Sequence, residues 1–312
     1  MTERRAQVHH EVAALLRLDV FGVVVGFPSL VAYVGGVVTL RRRGDPWSIA
    51  RSASFASGIL VLLAVTCTPL GVHAMVTVSG HMLQHMALNM VVPMLLVLGG
   101  PLTLLLRTVP SSMRRCVVAA VHSSPVRFVT HPFVATTIFT GSLFLLYFTP
   151  LFEIAMSNPA GHVLMQAHFL ASGYLFFWLV LGTDPGPGRP VEIARVPLVV
   201  TMAVAHTVFA FVVVFTRSVL AEGYFRAVTM ADEQSLRADQ ALAGGIAWGI
   251  GELSTAVVIV ILLQQWFARS ERMEATRRRA RRRAGVRRAP GGPGAAADEP
   301  DRYDVRRIDN HA

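Results

Sequence analysis

The chain has 312 residues, of which 53% are hydrophobic and only 15% are charged, with a formal net charge of +10. A soluble domain usually carries about 25% charged residues, so this composition excludes an ordinary water-soluble globular protein. It favours a protein whose apolar segments cross a lipid bilayer as helices of roughly 20 residues each.

Seven apolar segments of this length follow one another along the chain, and each predicts a transmembrane helix. A membrane-spanning strand would show roughly ten-residue alternation of polar and apolar residues, and no segment shows it. The predicted fold is an all-α integral membrane protein, a bundle of about seven transmembrane helices. The predicted spans are residues 19–40, 52–72, 78–98, 133–151, 163–182, 196–216 and 241–263.

Residues 1–18 form a short N-terminal segment, residues 19–268 the transmembrane domain, and residues 269–312 an arginine-rich tail. The tail contains "RRRARRRAGVRR" and no apolar periodicity, so we expect it to be disordered. We interpret it as an anchor held near anionic lipid head groups rather than as a nucleic-acid-binding segment, because basic runs attract phosphate without specifying it.

The arginine content of the loops predicts the orientation of the chain in the membrane. The loops after the first, third and fifth spans and the C-terminal tail are rich in arginine and fall on one side by parity. That side is expected to be cytoplasmic, which places the C-terminus in the cytoplasm. The N-terminal segment, with Arg4, Arg5 and Arg17, falls on the opposite side and is the one exception.

The third span contains an unusual polar stripe. His81 and His85 are one helical turn apart, so both imidazoles project from one face, and Asn89 continues that face. Met82 and Met86 lie beside it on the helical wheel. Imidazole and thioether ligands suit copper, above all Cu(I), although methionine at helical spacing is also what ordinary packing produces.

Other spans carry polar groups that the predicted topology places in the outer half of the membrane or near it. Ionisable side chains inside a span usually face the bundle interior, so their convergence favours a metal or cofactor site. His162 and Gln166 share a face of their helix, whereas His168 points to a different face. A lone membrane histidine such as His206 is as often a structural residue as it is a ligand. The predicted metal ligands are His81, His85, His168, His206 and His162, with Met82, Met86, Asn89, Gln166, Asp239 and Gln240 as further ligands or supporting groups.

Several features receive ordinary structural interpretations. The glycines of "LAGGIAWGIGE" (242–252) permit close helix packing, and Pro93 is expected to kink the third span. Cys67 and Cys116 form no CxxC pair and are expected to be small buried hydrophobes. Because the sequence contains no HExxH, GxSxG or Walker motif, we expect no enzyme activity.

These segments resemble those of a known family, the multi-span CtaG-type cytochrome c oxidase assembly factors. The resemblance covers roughly residues 19–268. It is carried by "HMLQHMALNMVVPMLLVLGGPLTLLLR" (81–107), "HPFVA" (131–135), "YFTPLFEIAM" (147–156), "HVLMQAHFLASGYLFFWLVLG" (162–182), "AHTVFAF" (205–211) and "ADQALAGGIAWGIGE" (238–252).

The resemblance implies a plasma-membrane protein that helps to assemble haem–copper oxidases, with oxidase subunits as partners and copper delivery as the role usually supposed. Relatives often have histidine where this chain has Gln166. By position, the family's membrane histidines fall on His81, His85, His162, His168 and His206, and its acidic–amide pair on Asp239 and Gln240.

The sequence therefore predicts an assembly factor that binds copper on the outward side and aids its insertion. Three alternatives stay open. A haem-binding electron carrier would use two histidines from different helices, such as His85 and His168. A copper transporter would need a polar path to the inner side, but the third span is wholly apolar beyond Asn89 as far as Leu98. A scaffold would bind oxidase subunits without metal. No sequence feature specifies the oligomeric state.

Overall fold

The computed structural model describes residues 19–187, 190 and 192–288. The N-terminal segment 1–18 and the end of the tail, 289–312, lie outside the described residues. The chain divides into two compact units, Met1–Leu262 and Leu263–Ala312, and the first contains the membrane-spanning bundle. All regular structure in the described part of the chain is helical, which confirms the predicted all-α class.

The described helices, α1 to α14, follow the predicted order, with one π-helical segment inside the third span. Their bounds are α1 Val20–Arg42, α2 Ile49–Cys67, α3 Pro69–His73, α4 Val78–Met86, π-segment Ala87–Val91, α5 Val92–Leu98, α6 Pro101–Thr108, α7 Ser111–Val121, α8 Ser124–Val129, α9 Pro132–Tyr147, α10 Leu151–Met156, α11 Pro159–Leu181, α12 Glu192–Phe215, α13 Glu222–Thr229 and α14 Glu233–Arg288.

Six helices in the described residues are long and apolar enough to cross a membrane. The fourth predicted span, 133–151, differs from the other six, because α9 has only 16 residues. At 1.5 Å per residue, α9 is about 24 Å long, which is shorter than a hydrocarbon core of about 30 Å. A turn then leads into the short helix α10.

The third span is continuous but irregular at its centre. The π-segment Ala87–Val91 ends two residues before Pro93, and the Val92 amide donates to the Ala87 carbonyl five residues earlier. Proline has no N–H to donate to the Asn89 carbonyl, which disfavours a regular α-helix at this point. The predicted disturbance at Pro93 therefore takes the form of a π-segment on its N-terminal side.

The last helix and the cysteines also differ from expectation. Helix α14 continues to Arg288, so the first part of the segment expected to be disordered from Arg269 is helical. Cys67 is half-buried at the end of α2, whereas Cys116 is exposed on α7. The prediction that both thiols are buried is wrong for Cys116, because α7 exposes most of its surface.

The first compact unit has two chemically different ends. At one end, called the histidine end, the Asp239 carboxylate accepts hydrogen bonds from the first amides of α4. At the other, called the arginine end, Arg107 pairs with Asp45 at 3.8 Å and both Arg51 and Arg107 lie over the Trp47 ring. The histidines of α4 therefore lie toward the histidine end of the bundle.

Candidate metal centre

Helix α4 presents its two histidines to the interior of the bundle. The Thr77 side chain accepts from the Gly80 amide at 3.1 Å and so caps the start of the helix. His81 and His85 follow within two turns and are both fully buried. Their ring centroids are 4.0 Å apart, and the ring planes are inclined by 52°. The predicted common face of the pair is thus confirmed.

Helix α11 contributes a third imidazole to the same place. The His162 ring centroid lies 5.9 Å from that of His81, and the His162 side chain is 6% exposed. His162 is close to the start of α11, where Asn158 caps the helix by accepting from the Ala160 amide. His81, His85 and His162 are called the histidine cluster below.

Aromatic rings enclose the cluster on its protein side. Phe152 of α10 lies 4.9 Å from the His81 ring, and Phe169 of α11 lies 4.4 Å from the His85 ring. The Tyr147 hydroxyl at the end of α9 is 2.8 Å from Nδ1 of His85. Since one nitrogen of His85 is engaged in this way, its other nitrogen, Nε2, is the one left for a ligand.

Four nitrogens of the histidine cluster are buried and have no hydrogen-bond partner in the part of the chain that the structure describes: Nδ1 and Nε2 of His81, Nε2 of His85 and Nε2 of His162. Buried polar atoms are normally satisfied, and a group of unsatisfied ones calls for a ligand, an ion or water. Neutral imidazole nitrogens are donors to soft and borderline metal ions. The chemistry of the cluster therefore fits a metal such as copper.

In the described residues, no group of three or more His, Cys, Asp and Glu side chains forms a site that could hold a metal ion. The inclined rings and the engagement of His85 Nδ1 by Tyr147 are consistent with this. The cluster is therefore not a preformed tetrahedral site of the kind that binds structural zinc. It offers separate imidazoles to an ion that needs few ligands.

An open cavity of about 450 Å³ reaches the cluster from the histidine end. His162 forms part of its wall, so this imidazole lies between the cavity and the buried pair. Two thioethers and a carboxylate also line it. The lining residues are Asp19, Val20, Thr66, Gly71, Val72, Met75, Met156, Ser157, Pro159, His162 and Val163.

The mouth of this cavity is held in place by polar contacts from several elements. Asp19 caps α1 through the Gly22 amide and also accepts a long hydrogen bond, 3.4 Å, from Nε2 of Gln166. The Tyr224 hydroxyl on α13 donates to the Met75 carbonyl at 3.0 Å, and burial raises the pKa of Tyr224. Oε1 of Gln166 has no partner among the described residues, so Gln166 still offers an acceptor near the cluster.

Two of the five predicted histidine ligands lie elsewhere. His168 is exposed on α11, facing away from the buried face that carries His162 and Gln166. His206 packs against Phe139 at 5.4 Å, and Phe139 stacks on Phe176, whereas His85 packs against Phe169. The ring of His206 therefore packs against aromatic rings other than those that enclose the cluster.

His206 is also bonded at Nδ1 to the Met202 carbonyl of its own helix, at 2.9 Å. Its position and this bond fit the structural interpretation of a lone membrane histidine. Met82 and Met86 are fully buried within the apolar core, as packing residues are. Asn89 is buried as well, and its Oδ1 accepts from Ser172 Oγ at 3.3 Å.

The acidic–amide pair at the start of α14 has a supporting role. The Asp239 carboxylate accepts from the amides of Val78 and Ser79, at 2.6 and 3.2 Å, and from the Ser79 hydroxyl. Gln240 accepts from the Leu220 amide at 2.7 Å and donates to the carbonyls of Val213 and Ser218. Asp239 therefore fixes the helix that carries the histidine pair, and Gln240 fixes the loop after α12.

The sequence analysis missed two residues of the site, Tyr147 and Asp19. Tyr147 stands at the start of the family segment "YFTPLFEIAM", and that was its only signal. Asp19 directly precedes the first apolar run, which is the usual place for a helix N-cap and gives no indication of a cavity.

A model of a known protein family matches most of this chain. The model of the cytochrome c oxidase caa3 assembly factor family matches residues 31–269. The chain belongs to this family. The match contains the whole histidine cluster and confirms the resemblance found in the sequence.

The similar curated proteins are mycobacterial and are described as uncharacterised. Proteins of Mycobacterium bovis and Mycobacterium tuberculosis are each 36% identical over 273 residues, which is 85% of this chain and 41% of theirs. A protein of Mycobacterium leprae is 35% identical over 263 residues, 81% of this chain and 40% of its own length. The chain thus spans about two fifths of these relatives. No solved structure shows significant similarity to it.

Proposed function

We propose that this protein binds Cu(I) transiently in the histidine cluster and aids its insertion into a haem–copper oxidase. The observation that carries the proposal is a set of four buried imidazole nitrogens that find no partner among the described residues and lie beside an open cavity. Copper is the cargo of this process, and the protein itself carries out no covalent turnover.

The cavity supports a route by which the ion would reach the cluster. Met75 and Met156 offer thioethers in the cavity wall, Asp19 offers a carboxylate, and His162 is the first imidazole. The His81 ring follows at 5.9 Å from that of His162, and the His85 ring 4.0 Å further. A series of weak, similar ligands favours transfer, because no single position holds the ion strongly.

The donor set favours Cu(I) over zinc. Cu(I) is soft and accepts a low coordination number, so it does not need the converging set of three or more ligands that is missing from the described residues. Phe152, Phe169 and Tyr147 line the other side of the cluster and exclude water. A dry, aromatic surround protects a reduced ion from hydration and oxidation.

The distribution of arginine supports an orientation in which the histidine end faces outward. Arg41 and Arg42 end α1 at the opposite end of the bundle, and Arg107 ends α6 there. Arginine-rich loops are retained on the cytoplasmic side of the plasma membrane. The cavity would then open toward the compartment from which an oxidase copper centre is reached.

The other interpretations have less support. The haem-carrier alternative relied on His85 and His168, and His168 faces outward from the bundle. A transporter needs a polar path beyond the cluster, but Phe169, Phe176 and Phe177 are fully buried along α11 in that direction.

The decisive experiment is an anaerobic titration of the purified protein with Cu(I) against a chromogenic competitor. The wild type is expected to bind a stoichiometric amount, and a His81→Ala/His85→Ala variant to lose it. His206→Ala is the matched control, since it removes a buried membrane imidazole outside the cluster. Failure of the wild type to take up copper would reject the proposal and favour a metal-free scaffold.

A second readout separates copper binding from assembly. Copper content of the oxidase is measured in membranes of a deletion strain that expresses either variant. The proposal predicts copper-deficient oxidase with the double variant and normal oxidase with His206→Ala.

A further inference from the structure

Helix α14 carries an exposed carboxylate midway along its apolar segment. Glu252 lies in the middle of the apolar segment 241–263, about 16 Å from either end, and is exposed. Its Oε1 accepts from Thr207 Oγ1 at 2.8 Å, and it has no ion pair within the described part of the chain. Charged residues at this depth normally face a protein interior, because lipid cannot solvate them.

The glycines around Glu252 fall on two different faces of α14. A Cβ at Gly244 would lie 2.4 Å from Val214 Cγ2, and one at Gly251 would lie 3.2 Å from His206 Cβ. These two glycines therefore let α12 approach closely. A Cβ at Gly245 or Gly249 would have no heavy atom within 4 Å. This second glycine face is open.

The open glycines and the carboxylate share one face of the helix. At 100° per residue, Gly245, Trp248, Gly249 and Glu252 lie within an arc of about 100°. Trp248 is 54% exposed on the same side. These residues are called the Glu252 face. Two glycines one turn apart allow a neighbouring membrane helix to approach closely, and the carboxylate offers it a polar contact.

We propose that the Glu252 face is the docking surface for a transmembrane helix of another protein, one that carries an arginine or lysine at the matching depth. Charge complementarity decides the occupant. A second copy packed symmetrically would bring two Glu252 carboxylates together. The described spans of this chain carry their arginines at the helix ends, so another part of a second copy supplies no cation at mid-depth either.

This docking surface is independent of copper binding. Glu252 touches α12 through Thr207, which is not part of the histidine cluster, and the cluster itself lies at one end of the bundle. The Glu252→Gln variant is therefore expected to bind Cu(I) as the wild type does, so the two proposals fail in different experiments.

The test is site-specific photocrosslinking of the full chain in native membranes, with a photoreactive phenylalanine analogue at position 248. The same analogue at Phe27 of α1, which is 65% exposed, is the control for chance lipid-facing contacts. Position 248 is expected to give a discrete adduct with a different membrane protein that position 27 does not give. Mass spectrometry of the adduct should locate an arginine or lysine within one turn of the captured residue.

Two substitutions in the crosslinking background test the chemistry of the contact. Glu252→Gln keeps an oxygen for Thr207 but removes the charge, and Gly249→Leu blocks close approach; each should lower the adduct yield roughly five- to tenfold. Gly35→Leu on α1 is the matched control, because a Cβ at Gly35 also meets open space. Replacing the captured basic residue by glutamate, together with Glu252→Arg, should restore the adduct.

Several results would overturn the proposal. The proposal fails if position 248 gives no protein adduct, or an adduct only with a second copy of the chain. It also fails if neither substitution changes the adduct yield, or if the captured helix carries no basic residue at that depth. Expression level and melting temperature in detergent show whether each variant is folded. If a variant does not fold, the partner residue captured by the photoreactive group at position 248 still decides between the outcomes.

Discussion

The Tyr147 hydroxyl lies 2.8 Å from Nδ1 of His85 and joins the end of α9 to the histidine pair of α4. Both side chains are buried, so this contact is not exchanged for water. It fixes the orientation of the His85 ring, whose other nitrogen, Nε2, has no hydrogen-bond partner among the described residues. A group that orients a metal-ligating imidazole usually affects metal affinity almost as strongly as a ligand does.

We expect Tyr147→Phe to weaken Cu(I) binding by about 10- to 100-fold, because the ring of His85 loses the bond that orients it. The cost in folding free energy should be about 1–3 kcal/mol, since one buried nitrogen loses its partner. Competition with a chromogenic Cu(I) chelator measures the affinity, and thermal unfolding in detergent measures the stability.

Tyr33→Phe is the control for this substitution. Tyr33 donates to the Gly99 carbonyl at 2.9 Å and is buried at the arginine end. The Tyr33→Phe substitution should lower the free energy of unfolding by a similar amount and leave the affinity for copper unchanged. Equal effects of the two substitutions on copper affinity would contradict an orienting role for Tyr147.

The two histidines of α11 should behave differently, although they are only six residues apart. His162→Ala removes an imidazole from the cluster and from the cavity wall, so copper affinity should fall at least about tenfold. His168→Ala alters an exposed side chain and should leave affinity within about twofold of wild type. Isothermal titration of the two variants under reducing conditions makes the comparison, and a larger loss with His168→Ala would place the site elsewhere.

Asp239 and Asp184 cap helices at opposite ends of the third span and form a natural pair for comparison. Asp184 accepts from the amides of Leu102 and Thr103, at 3.0 and 2.8 Å, much as Asp239 accepts at the start of α4. Substitution of either by alanine should cost about 0.5–2 kcal/mol of folding free energy through the lost cap.

Only the Asp239 substitution should also weaken copper binding, because α4 carries the histidine pair whereas α6 carries no histidine. Thermal unfolding and copper competition on the same two samples test this. Loss of copper affinity with both variants would indicate a general loss of structure rather than a local effect.

Gly173 sets the distance between α11 and the π-segment. A Cβ at this position would lie 2.1 Å from the Asn89 carbonyl oxygen, so the backbones must separate in a Gly173→Ala variant. We expect a loss of about 1–3 kcal/mol in folding free energy.

Gly141→Ala is the control for this prediction, since its Cβ would meet its nearest neighbour at an ordinary 3.8 Å. Because alanine favours a helix interior over glycine, this variant should be neutral or more stable by up to about 1 kcal/mol. Denaturation curves in a fixed detergent compare the two. Equal stabilities would mean that the close approach at Gly173 is not required.

The sequence by itself determined that the chain is a helical membrane protein, which family it belongs to, and that His81 and His85 share a face. The length of an apolar segment and a four-residue spacing are properties of a single helix, so they do not depend on how the helices pack together. That His162 and Gln166 lie on the same face of α11 was predictable for the same reason.

Only the tertiary structure decided which of these faces meet. It excluded His168 from the cluster and placed His206 against Phe139. It also brought Tyr147 and Asp19 to the site. The physical reason is that a helical wheel fixes the angle between residues of one helix, but not the rotation of that helix toward its neighbours. Nor does it fix the relative depth of residues on separate helices, which close contacts such as that of Gly173 with Asn89 determine.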